Sequence, residues 1–225
     1  MPALLKYKSL IKEFTSILVP SKTIIPEWYR SLMPIIDGNE NNMSSKKCIP
    51  FLESFTTGYS IVLPCDILVK QTDGQTNITW RMEEFNILSS RSELATNGMS
   101  IPIGCGSTHF VWQFPTTFEI PSGYSILFTH PLNRNDLPFV TMSGVIDGQY
   151  VLSEGGNVPV FFSNVFEGVI PQGTPIAQII PFKTEDWKSE EDDSLIEKSI
   201  QNRKKSNLLM SGWYKKNYWK RKSYE

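Results

Sequence analysis

An aspartate and a tyrosine stand three apart in Gly144-Val145-Ile146-Asp147-Gly148-Gln149-Tyr150, and a second run, IPQGTPIAQII, follows over residues 170–180. An aspartate titrates near about 3.9 when unperturbed, so Asp147 is an anionic acceptor at neutral pH and a usable general base once partly desolvated. On a turning strand a D-x-x-Y step can send a carboxylate and a phenol ring into one hollow. The same letters also spell a β-hairpin: an apolar strand, an Asp-Gly turn, and an aromatic residue opening the next strand. The residues leave both readings open.

The other groups capable of chemistry are sparse. His109 in STHFVWQF and His130 in LFTHPLNR are the only histidines. With Asp136 or Asp147 they could form a facial metal site, although the spacing matches no metal motif, and a strand-end histidine satisfied by the backbone is the stronger reading. Arg134, in NRND, could hold an anion beside His130, against the plainer reading of a solvated loop charge. The run GCGST, residues 104–108, is glycine-rich but lacks the Gly-Lys-Ser/Thr that a phosphate-binding loop requires. Cys105 inside it has no patterned base nearby and reads as a small apolar loop residue.

Composition bounds what can position these groups. The 225 residues are long enough for one sizeable core with arms. A formal net charge of -1 gives no global pull toward nucleic acid or anionic lipid. Cys48, Cys65 and Cys105 form no CxxC pair, which argues against a zinc ribbon. An odd cysteine count and no leader-like segment point to a reducing compartment. The longest apolar runs are too short and too proline-broken to span a bilayer as helices. The expected location is therefore the cytoplasm.

From about residue 48 to 183 the text is β-like. GYSIVLPCDILVKQT, NITWRMEEFNI, HFVWQFPTTFEI, GYSILFTHPL, FVTMSGVIDG, NVPVFFSNV and TPIAQIIPF are β-branched and aromatic runs punctuated by Gly, Pro, Asn and Asp. That cadence predicts a sandwich or barrel. DGQTN, residues 73–77, is a hairpin candidate, and IPSGYS and IPQGTP share one turn pattern, in which Pro sets the first φ and Gly supplies a positive one. The first 47 residues predict an arm: residues 4–17 have roughly helical spacing, FTSILV could equally be a strand, and IPEWYRSLMP predicts a short helix. Residues 184–225 predict a C-terminal helix, capped by Ser189, acidic at its start, basic near Arg203 and stopped by Gly212. A tail follows in which Trp213, Tyr214, Tyr218, Trp219 and Tyr224 alternate with Lys215, Lys216, Lys220, Arg221 and Lys222. Such a tail either docks through its rings, on its own chain or a neighbouring subunit, or binds nucleic acid. Docking is the preferred expectation, because the acidic EDWKSEEDDS upstream can neutralise it.

Several of these runs resemble the trimeric dUTPase family. GVIDGQY is similar to that family's third motif and GTPIAQII to its fourth. TTGYSIVLPCDILV resembles its opening segment with Ser60 in place of the usual Asp, and IPSGYSILFTHPLNR resembles the strand leading to its second motif. Where the family has an Arg-Ser stretch for phosphates this chain has Thr129-His130-Pro131-Leu132, and GWYKKNYWKRKSYE stands where the family has a glycine-rich lid. IPEWYRSLMP, CIPFLESFTTGY and THPLNRNDLPF also resemble an uncharacterised tailed-phage protein family, which implies the host cytoplasm or a virion as the location. The resemblance implies a mainly β, β-clip or jelly-roll-like domain over residues 48–183 with an N-terminal arm and a helical C-terminal extension, assembled as a homo-oligomer, most naturally a trimer.

By the same resemblance Asp147 would orient water and sugar hydroxyl and Tyr150 would stack on the sugar; Gln178, and on their own chemistry His130 and Arg134, would support them in binding the ligand. A divalent metal would enter only with a nucleoside triphosphate. Since the matching basic positions are missing, ordinary dUTPase activity is not expected. The expected function is binding of a nucleotide or other small ligand, and the alternative is a phage structural or assembly protein that uses the β domain and arms for protein–protein contacts.

Overall fold

A computed structural model describes residues 3–11, 17–39, 42–92, 95, 97–114, 116–148, 157–206 and 212–225. In chain order the elements are β1 (Lys6–Ser9), β2 (Leu18–Pro20), α1 (Glu27–Ser31), α2 (Ile49–Thr56), β3 (Tyr59–Val62), β4 (Ile67–Thr72) and β5 (Gln75–Trp80). Then come β6 (Leu88–Ser90), β7 (Phe110–Gln113), β8 (Thr116–Glu119), β9 (Tyr124–Thr129), β10 (Phe139–Thr141), β11 (Gly144–Asp147), β12 (Asn157–Phe162), β13 (Gly168–Ile170) and β14 (Pro175–Lys183). The chain closes with α3 (Ser194–Ser206) and α4 (Trp213–Asn217). The architecture is mainly β with helices at the C-terminus.

Two compact units divide the chain: residues 1–21 with 58–184, and residues 22–57 with 185–225. The first is all antiparallel. Its sheets run β11-β9-β14-β3-β2, β10-β12-β7-β6, β13-β4-β5 and β1-β8. The two larger sheets share one apolar cluster, with Ile61, Ile126, Phe128, Ile176 and Ile179 from the first and Phe110, Trp112, Phe139, Val160 and Phe162 from the second. β14 is buried over its first five residues because it lies between β9 and β3 with both faces covered. β4 alternates inward and outward instead, as a half-covered strand does.

A hydrogen-bond relay ties the two large sheets together inside this core. The Trp112 indole N–H donates to Thr141 Oγ1 at 3.1 Å, and the Thr141 hydroxyl donates to the Ile176 carbonyl at 2.6 Å. All three groups are buried, so the relay satisfies polar atoms that would otherwise be stranded. Pro159 then explains how the chain changes sheets. It pairs with Val111 on β7, its carbonyl accepts from Met142 N, and it has no N–H to offer β10. The β10 ladder therefore stops at Thr141, and within three residues the chain has started β11 in the other sheet.

The expected hairpin is β4–β5. Asp73 and Gly74 both take positive φ, 53° and 75°, as a two-residue type I′ turn requires. In IPSGYS and IPQGTP the glycines take φ of 78° and 82°. Pro121 and Pro171 occupy the first turn position, where their carbonyls accept from Tyr124 N and Thr174 N, rather than the second, φ-setting one. Residues 49–56, read as the start of β-like text, are the helix α2, with Pro50 in its first turn. In the N-terminal stretch the described residues form the short strands β1 and β2, the second ending at Pro20, and no helix; residues 12–16 lie outside the described residues.

The second unit holds the expected short helix α1, entered through Pro26. Tyr29, Phe51, Phe55 and Trp28 form an aromatic cluster between α1 and α2, with ring centroids 4.8 to 6.0 Å apart. Lys46 sits over the Tyr29 ring and donates to the carbonyls of Tyr29 and Arg30, at the C-terminal end of α1. α3 begins at Ser194 and not at Ser189, because the Asp192 carboxylate accepts from Ser194 N at 2.9 Å and so caps the helix there. Gly212, at φ 97°, stands at the start of α4.

Candidate functional site

The residues read as candidate site groups fall at two ends of β9. Asp147 is the last residue of β11, opposite Ser125, and is exposed. Ser125 Oγ donates to Asp147 Oδ1 at 2.9 Å and is itself 2.6 Å from Thr184 Oγ1. A hydroxyl has one proton, so Thr184 donates to Ser125 while Ser125 donates to the carboxylate. Gly148, next in the chain, abuts the IPSGY turn. A Cβ there would lie 2.5 Å from the Tyr124 carbonyl and 2.7 Å from that of Pro121, so the glycine of this motif is required by backbone crowding. Tyr150 lies outside the described residues.

The other three candidates gather around the turn after β9. Gln178, on β14 opposite Thr129, is buried, and its Oε1 accepts from Leu132 N at 2.9 Å. His130 uses both ring nitrogens. Nε2 is 3.1 Å from the Arg134 carbonyl and can only donate to it, while Nδ1 accepts from Thr141 N at 3.3 Å. The neutral tautomer is thereby selected. Burial pushes its pKa below the ordinary value, and the Arg134 charge adds to that against the opposing pull of the Arg134 carbonyl and Asp136. Arg134 is mostly buried and forms a bidentate pair with Asp136, at 2.8 Å from both Nε and Nη2.

His130, Gln178 and Arg134 thus hold residues 131–136 in place. Four residues of β9 separate Ser125 from Thr129, or about 13 Å of strand. The structure brings His130, Gln178 and Arg134 together and places Asp147 at the far end. Among the described residues no three His, Cys, Asp or Glu side chains are grouped to hold a metal ion.

His109 immediately precedes β7, buried and stacked on Phe161 with ring centroids 5.4 Å apart. Neither of its nitrogens has a hydrogen-bond partner among the described residues. Burial, and then the Arg91 charge, lower its pKa. Both histidines therefore resist protonation when folded but take up protons near about pH 6.5 when unfolded. Stability is full above that pH and falls as pH drops through it toward the lowered folded values. Urea unfolding at neutral and mildly acidic pH checks this: the wild type weakens on acidification, and His109→Phe, which keeps the stacked ring, shows a smaller drop. An equal drop in the variant would show that His109 does not contribute.

A cleft of 830 Å³ opens elsewhere in the β unit, lined by residues that include Cys65, Asp66, Trp80, Arg81, Met82 and Gln172. Sequence reading did not single it out, since its residues come from three separated strand ends with no shared motif. Burial, and then the Asp66 charge, push the Cys65 thiol up, which keeps it protonated and weakly nucleophilic. Cys105 is likewise pushed up by burial and donates to the Phe161 carbonyl. In the helical unit the C-terminal tail lies along α2, with Lys222 donating to Glu53 at 2.7 Å and Trp219 and Tyr224 lining a 360 Å³ hollow beside Leu52 and Thr56.

Neither the protein-family models nor the curated proteins contain a match to this chain. Solved structures of dUTPases are similar in part. The native dUTPase of EIAV shares 11% identity at a TM-score of 0.34, covering 84% of this chain and 98% of that one. A dUTPase from phage phi11 of S. aureus shares 13% at 0.35, over 84% and 97%. The dUTPase of Staphylococcus bacteriophage 80alpha shares 15% at 0.35, over 84% and 88%. The likeness is weak and partial.

Proposed function

We propose that this chain is a dUTPase-like β-clip or jelly-roll-like protein that works by holding other protein chains, copies of itself first, and that it is not an ordinary dUTPase. One observation carries the reading: two apolar side chains are presented to water on adjoining, pinned turns. Ile103 is 104% exposed and Val165 84%. Asn164 N donates to the Gly104 carbonyl at 3.1 Å, which sets the two turns side by side. The Gln71 side-chain amide donates to the carbonyls of Ser163 and Phe166, and Gln71 N donates to Glu167 Oε1, so the turn carrying Val165 is held from both flanks. The reading takes this pair as the centre of a docking surface, and a surface already rigid loses little entropy on binding. The polar groups near His130 support the same reading, since they are spent on the loop itself and Arg134 is committed to Asp136.

A second reading is favoured by the Asp147 geometry. Its carboxylate stands exposed with one oxygen fixed by Ser125, so it could orient a hydroxyl of a nucleotide or other small ligand, with Tyr150 as the stacking ring. A divalent metal belongs to that reading only if the ligand is a triphosphate.

Light scattering after gel filtration, paired with a nucleotide thermal-shift screen with and without Mg²⁺, separates the two. The expected result is an assembly larger than a monomer that the double variant Ile103→Asp/Val165→Asp reduces without lowering its melting temperature, and no nucleotide shift. A nucleotide at a hundred times its Kd would add about 2.7 kcal/mol, and such a shift, lost in Asp147→Asn, would replace the first reading with the second. A monomer without any shift would sink both.

A further inference from the structure

We propose that α3 is a self-pairing helix, which docks antiparallel against α3 of a second copy of this chain. Residues 194–202 of α3 are all exposed, including Leu195 at 54%, Ile196 at 61% and Ile200 at 54%. At about 100° per residue these three side chains lie within roughly 140° of one another and make a single apolar face. A helix of 13 residues without tertiary cover is marginal in water. A packing partner for that face supplies what the isolated helix lacks.

Charge identifies the partner and its direction. Glu190, Glu191, Asp192 and Asp193 precede the helix and Glu197 lies in its first turn, while the sequence ends the helix with Arg203-Lys204-Lys205. This polarity suits the helix dipole at both ends. Laid antiparallel, two copies set each acidic end against the other's basic end. Laid parallel, they oppose like charges at both ends. No other chain need be invoked, because the segment is complementary to itself. The contact is distinct from the Ile103–Val165 patch in the β unit, and the two fail separately.

Sedimentation of the full-length chain tests the pairing, in the wild type and in the Ile103→Asp/Val165→Asp background. The expected result is a pairwise step that persists in that background, weakens as salt rises and disappears in Ile196→Asp/Ile200→Asp. Two further variants leave the apolar face intact, and so answer the objection that the aspartates merely melt the helix. Glu190→Lys/Glu191→Lys and Lys204→Glu/Lys205→Glu should each weaken the step by roughly tenfold alone, and their mixture should recover wild-type affinity. The proposal is overturned if the step is absent, if it survives Ile196→Asp/Ile200→Asp, or if it strengthens with salt. A mixture that binds well above wild type would mark parallel pairing and overturn it equally.

Discussion

Replacing Gly58 by alanine is expected to unfold the β unit or to cost about 4 kcal/mol or more, at the upper end of single-substitution effects. Gly58 has φ of 73°, in the left-handed region. Its own carbonyl accepts from Ser21 N, and a Cβ there would sit 2.0 Å from the Ile179 carbonyl oxygen and 3.0 Å from its carbon. These are backbone atoms of the central strand β14, so no side chain can swing aside. Gly123→Ala is the matched control. Its φ is 78°, but a Cβ there meets nothing within 4 Å, so only the left-handed strain of about 1–2 kcal/mol applies. Thermal unfolding should separate the two by well over about 5 °C, since 1 kcal/mol moves a chain of this size by roughly 2–4 °C. Equal melting temperatures would mean that the Gly58–β14 approach is not as close as described.

Thr141→Val is expected to cost about 2–4 kcal/mol although it changes almost no volume. The substitution strands the buried Trp112 N–H and removes the donor from the Ile176 carbonyl. Each buried polar atom left without a partner costs about 1–3 kcal/mol. Thr141→Ser, which keeps the oxygen, should recover most of the loss. In a Trp112→Phe background Thr141→Val should cost markedly less, since the stranded donor is gone. Urea titrations with an unchanged m-value give the numbers. Full additivity of the two substitutions would show that no relay joins them.

What could be read beforehand follows from the range of the forces involved. The β text, the Asp73–Gly74 hairpin and the α1 helix are written in neighbouring residues, and the chain shows each of them. α2 was not legible as a helix: IPFLESFT is apolar and aromatic enough to pass for a strand, and its partners Trp28 and Tyr29 are some twenty residues away. The α3 start is not fixed by local text, because Ser189 and Asp192 are both good caps and it is Asp192 that bonds. The candidate site divides in the same way. Asp147 at the end of an exposed strand follows from local pattern. The commitment of His130, Gln178 and Arg134 to one loop depends on partners brought in by the fold, up to 46 residues distant in the case of Leu132 and Gln178. The pinned turns under Ile103 and Val165 depend on Gln71, farther still.

β14 lies between β9 and β3, yet among the described residues it is the last strand in chain order. A ribosome making this protein therefore delivers the two flanking strands long before their shared neighbour. Until residue 183 has emerged, β3 and β9 have open borders and the core around Phe128 has no roof. Such nascent chains are exposed to mispairing and to holdase chaperones. A chain ending before residue 175 lacks the strand that joins β9 to β3.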